Sequence, residues 1–284
     1  MKNYFIIINS NDFSSTKHLI DNIKKYKIID HILIVDNNSI NAKELDKLKS
    51  SKVEIIYNNI NLGYSCAINV GVKYLVEKYG EGNLIISNSD IVIMSENDIK
   101  VLIKHLNDSK VGIVGPQILE KGLINRGRKN YSPKVEVLFD IPVIRHFIFD
   151  KYSYYDSSIY NSEYIDVDIV SSCFFLIKSK ILDSIDYMDE NIFLYYEDNI
   201  LCKKIHDINL SCRIVNDVKV KHLYGVSVNK TVKMLRKFKI YFNSQLYYHF
   251  TYNNASFIDK IMLKIVRRIA IIWRTIKLFV LKKN

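Results

Sequence analysis

The first half of the chain alternates short apolar runs with longer helix-like stretches, and few folds accommodate that rhythm. Apolar runs at 4–8, 31–35, 53–57, 84–86 and 111–114 are separated by helix-like segments near 15–26, 42–49, 66–79 and 96–106. Such alternation is the signature of βαβ units and a parallel sheet. Pro116 then opens an irregular stretch, to about Glu163, rich in Tyr, Phe and Lys. Apolar runs at 164–170 and 173–177 follow, then a helix-like segment carrying Glu197 to His206, and a strand pair at 212–215 and 218–221. From Lys230 onward the pattern reads as two helices interrupted near Asn253-Asn254. The expected architecture is α/β: one Rossmann-like, mostly parallel sheet flanked by helices, with a helical tail. Its parts are a first half (1–115), a second half (116–229) and the tail (230–284).

A chain of 284 residues can bury a substantial core. Only nine Gly and three Pro argue against linkers and low-complexity tracts. Cys66, Cys173, Cys202 and Cys212 form no CxxC pair and no zinc spacing, so they read as small core residues in a reducing compartment. The apolar run after Met1-Lys2-Asn3 is too short for a signal peptide and meets polar Asn9-Ser10-Asn11-Asp12 at once. It reads as a first strand, and the expected location is the cytoplasm.

The net charge of +11 is concentrated in the tail. Residues 230–284 hold thirteen Lys/Arg and one acid, whereas residues 1–229 hold twenty-eight basic and twenty-nine acidic residues. A basic appendage without a recognised nucleic-acid module argues against DNA or RNA as partner. Ile258, Ile261, Ile265, Ile269, Ile272, Trp273, Ile276 and Phe279 recur at helical spacing, with Lys260, Lys264, Arg267, Arg268, Arg274, Lys277 and Lys282 filling much of the other side. The charge-free run 269–273 is far short of the ~20 residues needed to span a bilayer. A basic amphipathic helix of this kind lies in the membrane interface. The alternative is a helix packed on the catalytic domain, or on a second subunit in a homodimer.

Four polar clusters adjoin the apolar runs. Asp36-Asn37-Asn38-Ser39 follows the second run, and Asn59 to Gly71 runs into a helix. Asn88-Ser89-Asp90 is wedged between two apolar runs, and Glu197-Asp198 is followed by His222 with Gly225 and Ser227 close behind. In open α/β sheets, ligands sit in the crevice outside the carboxyl ends of the strands. A carboxylate and an amide two residues apart there suit a hard divalent cation escorting a diphosphate. The same residues also favour an ordinary hairpin turn.

Taken in order, the clusters resemble those of the family 2 glycosyltransferases of the GT-A fold, in their rhamnosyltransferase-like and galactofuranosyltransferase-like branch. The shared elements are Asp36-Asn37-Asn38-Ser39, Asn61-Leu62-Gly63, Asn69-Val70-Gly71, Asn88-Ser89-Asp90, the segment from Met188 to Glu197-Asp198, and His222. Departures are Ser89 where the branch mostly has Pro, Ile200 for a frequent acid and Lys204 for a usual Arg. The resemblance implies Asp90 and His222 as ligands of Mn²⁺ or Mg²⁺, with manganese slightly favoured by the imidazole. It implies Asp198 as general base, with Glu197 holding geometry or binding the acceptor. Asp36 would contact the pyrimidine or ribose, and Asn38, Asn61, Gly63, Asn69, Asn88 and Ser89 would complete the donor site, which would make 1–115 the nucleotide-sugar-binding half and 116–229 the acceptor-binding and catalytic half. The implied reaction is an inverting transfer from dTDP-rhamnose or a UDP-hexose to a saccharide, lipid-linked, in bacterial capsule or O-antigen synthesis. The alternatives are a non-catalytic GT-A scaffold and a nucleotidyltransferase. The latter would need a basic Gly-rich phosphate loop that Asn9-Ser10-Asn11-Asp12 does not supply.

Overall fold

The computed structural model describes residues 1–120, 123–223 and 234–281. Strands β1 (Lys2–Asn9), β2 (His31–Asp36), β3 (Val53–Tyr57) and β4 (Gly82–Asn88) run parallel in the order β3-β2-β1-β4. Helices α1 (Phe13–Ile23) and α2 (Tyr64–Tyr79) connect β1 to β2 and β3 to β4. The segment expected as a helix at 42–49 is a 3-10 turn, Ala42–Leu48, which buries only Leu45 and so has little packing to extend it. Next come β5 (Ile91–Ile93), α3 (Glu96–Leu106), β6 (Val111–Glu120) and β7 (Leu123–Asn125). A Ser95/Asp98 capping box starts α3.

The stretch from 116 to 163 is more regular than its composition implies. It holds the end of β6, β7, α4 (Pro133–Phe139), α5 (Pro142–Ser153) and a 3-10 turn, Ser157–Asn161. Ser132 caps α4 by accepting from Val135 N, ahead of Pro133 in the first turn; that pairing is a readable helix start. Strands β8 (Tyr164–Val167) and β9 (Phe174–Lys178), helices α6 (Ser179–Ser184) and α7 (Glu197–Asp207), and β10 (Ser211–His222) complete the domain. The full sheet order is β3-β2-β1-β4-β9-β6-β10-β5, with β7 on β6 and β8 on β10. Because β6 crosses residue 115 and β4 pairs with β9, the two expected halves share one sheet.

The strand pair expected at 212–221 is one strand with a register break between Val215 and Lys219. Pro116 is registered with Val215, at the edge of that break, where a missing ladder N–H costs least. Side chains alternate across the sheet, so Tyr4, Ile6 and Ile8 enter one core with α2, while Phe5 and Ile7 enter the other with α1 and α3. All four cysteines are free, three of them buried.

The tail forms α8 (Met234–Thr251) and α9 (Phe257–Leu281), broken where expected. Helix α8 is not an appendage, because Phe242, Gln245, Tyr248 and His249 are buried against the domain. Among the residues of α9 whose burial is described, 257–273, one stripe is buried: Leu263, Val266 and Ala270. Among the described residues no helix is long and apolar enough to cross a membrane. Gly225, Ser227 and Lys282 lie outside the described residues.

Candidate active site

The parallel strands end level with one another: Asn9 is registered with Asp36, and Ile8 with Asn88. A cleft of about 590 Å³ opens at these carboxyl ends. Asn37, Asn61, Gly63, Asn88, Ser89, Asp90, Glu197, Asp198 and His222 line it, joined by Glu120, Arg128 and Lys237. Asp36, Asn38 and Asn69, expected in the donor pocket, are not on its wall.

Each of these three has a local reason. Asp36 is fully buried and accepts from Asn9 Nδ2 (2.7 Å), Ser39 Oγ (2.6 Å) and Ser39 N (2.9 Å), so it closes the turn after β2. Asn38 is exposed, with φ of 62° at the turn's left-handed position. Asn69 donates to Met188 O (2.9 Å) and Glu190 Oε1 (2.8 Å) and accepts from Met188 N (3.0 Å). It therefore seats the segment that leads into the acid pair. Asn37, between Asp36 and Asn38, reaches the cleft instead, donating to Asn61 Oδ1 and Gly63 O, both at 3.0 Å, and accepting from Leu62 N at 2.9 Å. Gly63 has φ of 86°, and a Cβ there would meet Phe193 O at 2.5 Å; Tyr64 N donates to that same oxygen at 3.0 Å. The Asn-x-Gly and Asn-x-Gly motifs thus hold the 188–193 segment against α2.

At the other end of the cleft, β5 pairs antiparallel with the end of β10, registering His222 with Ile91 and bringing it to Asp90. His222 Nε2 lies 3.2 Å from Asp90 Oδ1, and its Nδ1 lies 3.4 Å from Glu120 Oε1. Burial pulls the imidazole pKa down, but hydrogen bonds to Asp90 and Glu120 outweigh it and raise the value to about 9. Asp90 and His222 would offer an oxygen and a nitrogen to a divalent cation, donor types that Mn²⁺ and Mg²⁺ accept. Among the described residues no group of three or more His, Cys, Asp or Glu side chains is arranged to hold a metal. Ser89 is buried on the cleft wall, and Asn88 N donates to Cys173 O at 2.9 Å.

The acid pair begins α7, and two consecutive residues before it, Tyr195 and Tyr196, adopt φ of 70° and 65°. Left-handed backbone at bulky residues persists only where the surroundings enforce it. Here Tyr196 packs with Ile192, Ile200 and Tyr248, and Ser244 Oγ donates to Leu194 O at 2.8 Å. Ile200, where the family often has an acid, belongs to this apolar cluster. Lys204 Nζ donates to Tyr187 O at 2.8 Å rather than facing the cleft.

Glu197 Oε1 accepts from Ser172 Oγ at 3.0 Å, while its buried Oε2 has no hydrogen-bond partner. Burial, and then the charge of Asp198, push Glu197 up to about 7. Asp198 differs: its Oδ2 takes Arg128 Nη2 at 2.5 Å and its Oδ1 accepts from Asn199 N at 2.9 Å. Arg128 is held by a two-bond bridge to Ile169, N to O at 3.1 Å and O to N at 3.0 Å. Burial works against the guanidinium's charge, but Asp198 raises its pKa further. Sequence reasoning missed Arg128, Glu120, Ser172, Lys237 and the part played by Asn37.

The pattern described as Glycosyl transferase family 2 matches residues 4–186, stopping short of Glu197, Asp198 and His222. The dTDP-rhamnosyl transferase RfbF of Shigella flexneri is 25% identical over 233 residues, 81% of this chain and 71% of that protein. The low-salt glycan biosynthesis hexosyltransferase Agl10 of Haloferax volcanii is 25% identical over 222 residues, 75% of this chain and 65% of that protein. This chain therefore spans slightly less than two thirds of the second relative. The crystal structure of GalNAc-T7 with UDP, GalNAc and Mn²⁺ shares the fold with a TM-score of 0.59 at 13% identity, over 79% of this chain and 43% of that one. With most of the sheet inside the matched span, the chain belongs to glycosyl transferase family 2.

Proposed function

We propose that the chain transfers a sugar from dTDP-rhamnose or a UDP-hexose to a hydroxyl of a saccharide acceptor, inverting the anomeric carbon. The observation that carries this reading is the presence of the Asp90–His222 pair and the Glu197–Asp198 pair on one cleft. Support for the donor class comes from the relatives' names and from the nucleotide in the GalNAc-T7 structure. Asp90 and His222 would hold Mn²⁺ or Mg²⁺, which would supply neutralisation of the charge growing on the leaving diphosphate. Asn37 keeps Asn61 and Gly63 in place along the donor side. Asp198 takes the acceptor proton as the hydroxyl oxygen attacks the anomeric carbon, and the nucleoside diphosphate leaves with the bonding electron pair. Glu197, protonated below about pH 7, donates to acceptor or donor oxygens rather than competing as a base.

The acceptor in this reading is lipid-linked, and α9 brings the enzyme to the inner face of the cell membrane. At 100° per residue, Ile258, Ile261, Met262, Ile265, Ile269, Ile272 and Trp273 fall in an arc of about 120°, and each is exposed. Exposed Lys264 and Arg268 stand outside that arc. Apolar insertion and attraction to anionic lipid then act together. The test of the proposed reaction is a transfer assay with Mn²⁺, pairing each nucleotide-sugar with lipid-linked saccharides. A thermal-shift screen chooses the donor, because a ligand that binds only the native state raises the midpoint. Failure of every dTDP- and UDP-sugar to raise the midpoint would overturn the donor class.

A further inference from the structure

We infer that Glu120 is a positioning residue for His222, holding Nδ1–H so that Nε2 is kept as the metal-ligating nitrogen beside Asp90. The inference rests on the reading of Asp90 and His222 as metal ligands. Strands β6 and β10 run parallel, with Leu119 registered on Lys221, so the next pair, Glu120 and His222, project from the same face. That register brings Glu120 Oε1 to 3.4 Å from His222 Nδ1. The imidazole is buried, and Glu120 Oε1 is itself buried with no other hydrogen-bond partner.

An imidazole that ligates a metal through one nitrogen keeps an N–H donor on the other. With Nδ1–H directed at Glu120, Nε2 is the nitrogen left to face Asp90 Oδ1, 3.2 Å away, and a cation entering between them would take the place of the Nε2 proton. Glu120 thus fixes the orientation of the ring and keeps Nε2 as the ligating nitrogen. Partners of this kind, one step removed from the metal, typically change affinity 10–100-fold when lost.

The test is calorimetric Mn²⁺ binding to the full chain without sugar, comparing the wild type with Glu120→Gln, Glu120→Leu and Asp90→Ala. Glutamine keeps an acceptor oxygen at the same reach, and leucine removes it. Expected are 10–100-fold weaker Mn²⁺ binding for Glu120→Leu and a much smaller loss for Glu120→Gln. The rise in melting temperature on adding Mn²⁺ should follow the same order, while the metal-free melting temperatures agree. Wild-type affinity in Glu120→Leu, or equal losses in the two variants, would overturn the positioning role. No Mn²⁺ binding by the wild type, or binding unchanged by Asp90→Ala, would instead overturn the metal site on which the inference rests.

Discussion

Arg128 Nη2 lies 2.5 Å from Asp198 Oδ2, joining residues seventy positions apart inside the cleft. The acid assigned as general base is thus ion-paired, with side chains 28% and 13% exposed. That hydrogen bond fixes the direction in which the Asp198 carboxylate faces the cleft.

Replacing Arg128 by Gln should therefore lower kcat, by up to ~10²-fold, since Asp198 loses the donor that fixes its direction. Arg128→Lys should restore only part of the rate, because lysine keeps the charge but not the planar fork. A kcat unchanged in Arg128→Gln would show that the pair does not position the base.

Glu197 makes a separate pH prediction. Its folded pKa of about 7 exceeds the ordinary 4.5, so between those values the folded state retains a proton that the unfolded state has lost. Stability from this group is full below pH 4.5 and is lost as pH rises through 7. Glu197→Gln cannot titrate, so its stability relative to wild type should increase from pH 5 to pH 8, by on the order of 1–3 kcal/mol. Urea midpoints at the two pH values measure this, and a constant difference would count against the burial-driven shift.

Much of the fold was legible because its strands are short Ile/Val runs separated by amphipathic helices, the pattern that buried parallel strands require. Other parts were hidden for physical reasons. Asn216-Asp217 reads as a turn, yet it forms the register break opposite Pro116 within one continuous strand. Arg128 stands in a stretch without periodicity, and a bridge to Ile169, distant in sequence, holds its backbone in place. The motif residues Asp36 and Asn69 were found, but their jobs are visible only in the hydrogen bonds that place them beneath the cleft. Helix α8 reads as basic tail because it lies between Lys230 and the Lys/Arg-rich α9 and carries Arg236, Lys237 and Lys239 itself. Phe242, Gln245, Tyr248 and His249 nevertheless carry a helical period that marks a buried face.

That buried face changes how the membrane proposal should be tested. Removing everything after Val228 would strip α8 from Tyr196 and Ile200 and damage the site. Substituting Ile265 and Ile269 by Glu leaves the buried stripe of α9 untouched. The wild type should sediment with anionic vesicles, less so at high salt, and the double variant should remain in the supernatant. Equal sedimentation of both proteins would remove the membrane assignment, and a change from dimer to monomer in the variant would make the stripe a subunit interface.

The most direct measurement is Asp198→Asn, with turnover and donor affinity read on the same preparation in Mn²⁺. The account predicts an unchanged dissociation constant for the nucleotide-sugar and a kcat lower by ~10²–10⁴-fold, the usual cost of losing a general base. An Asp198→Asn enzyme that turns over at the wild-type rate would contradict it.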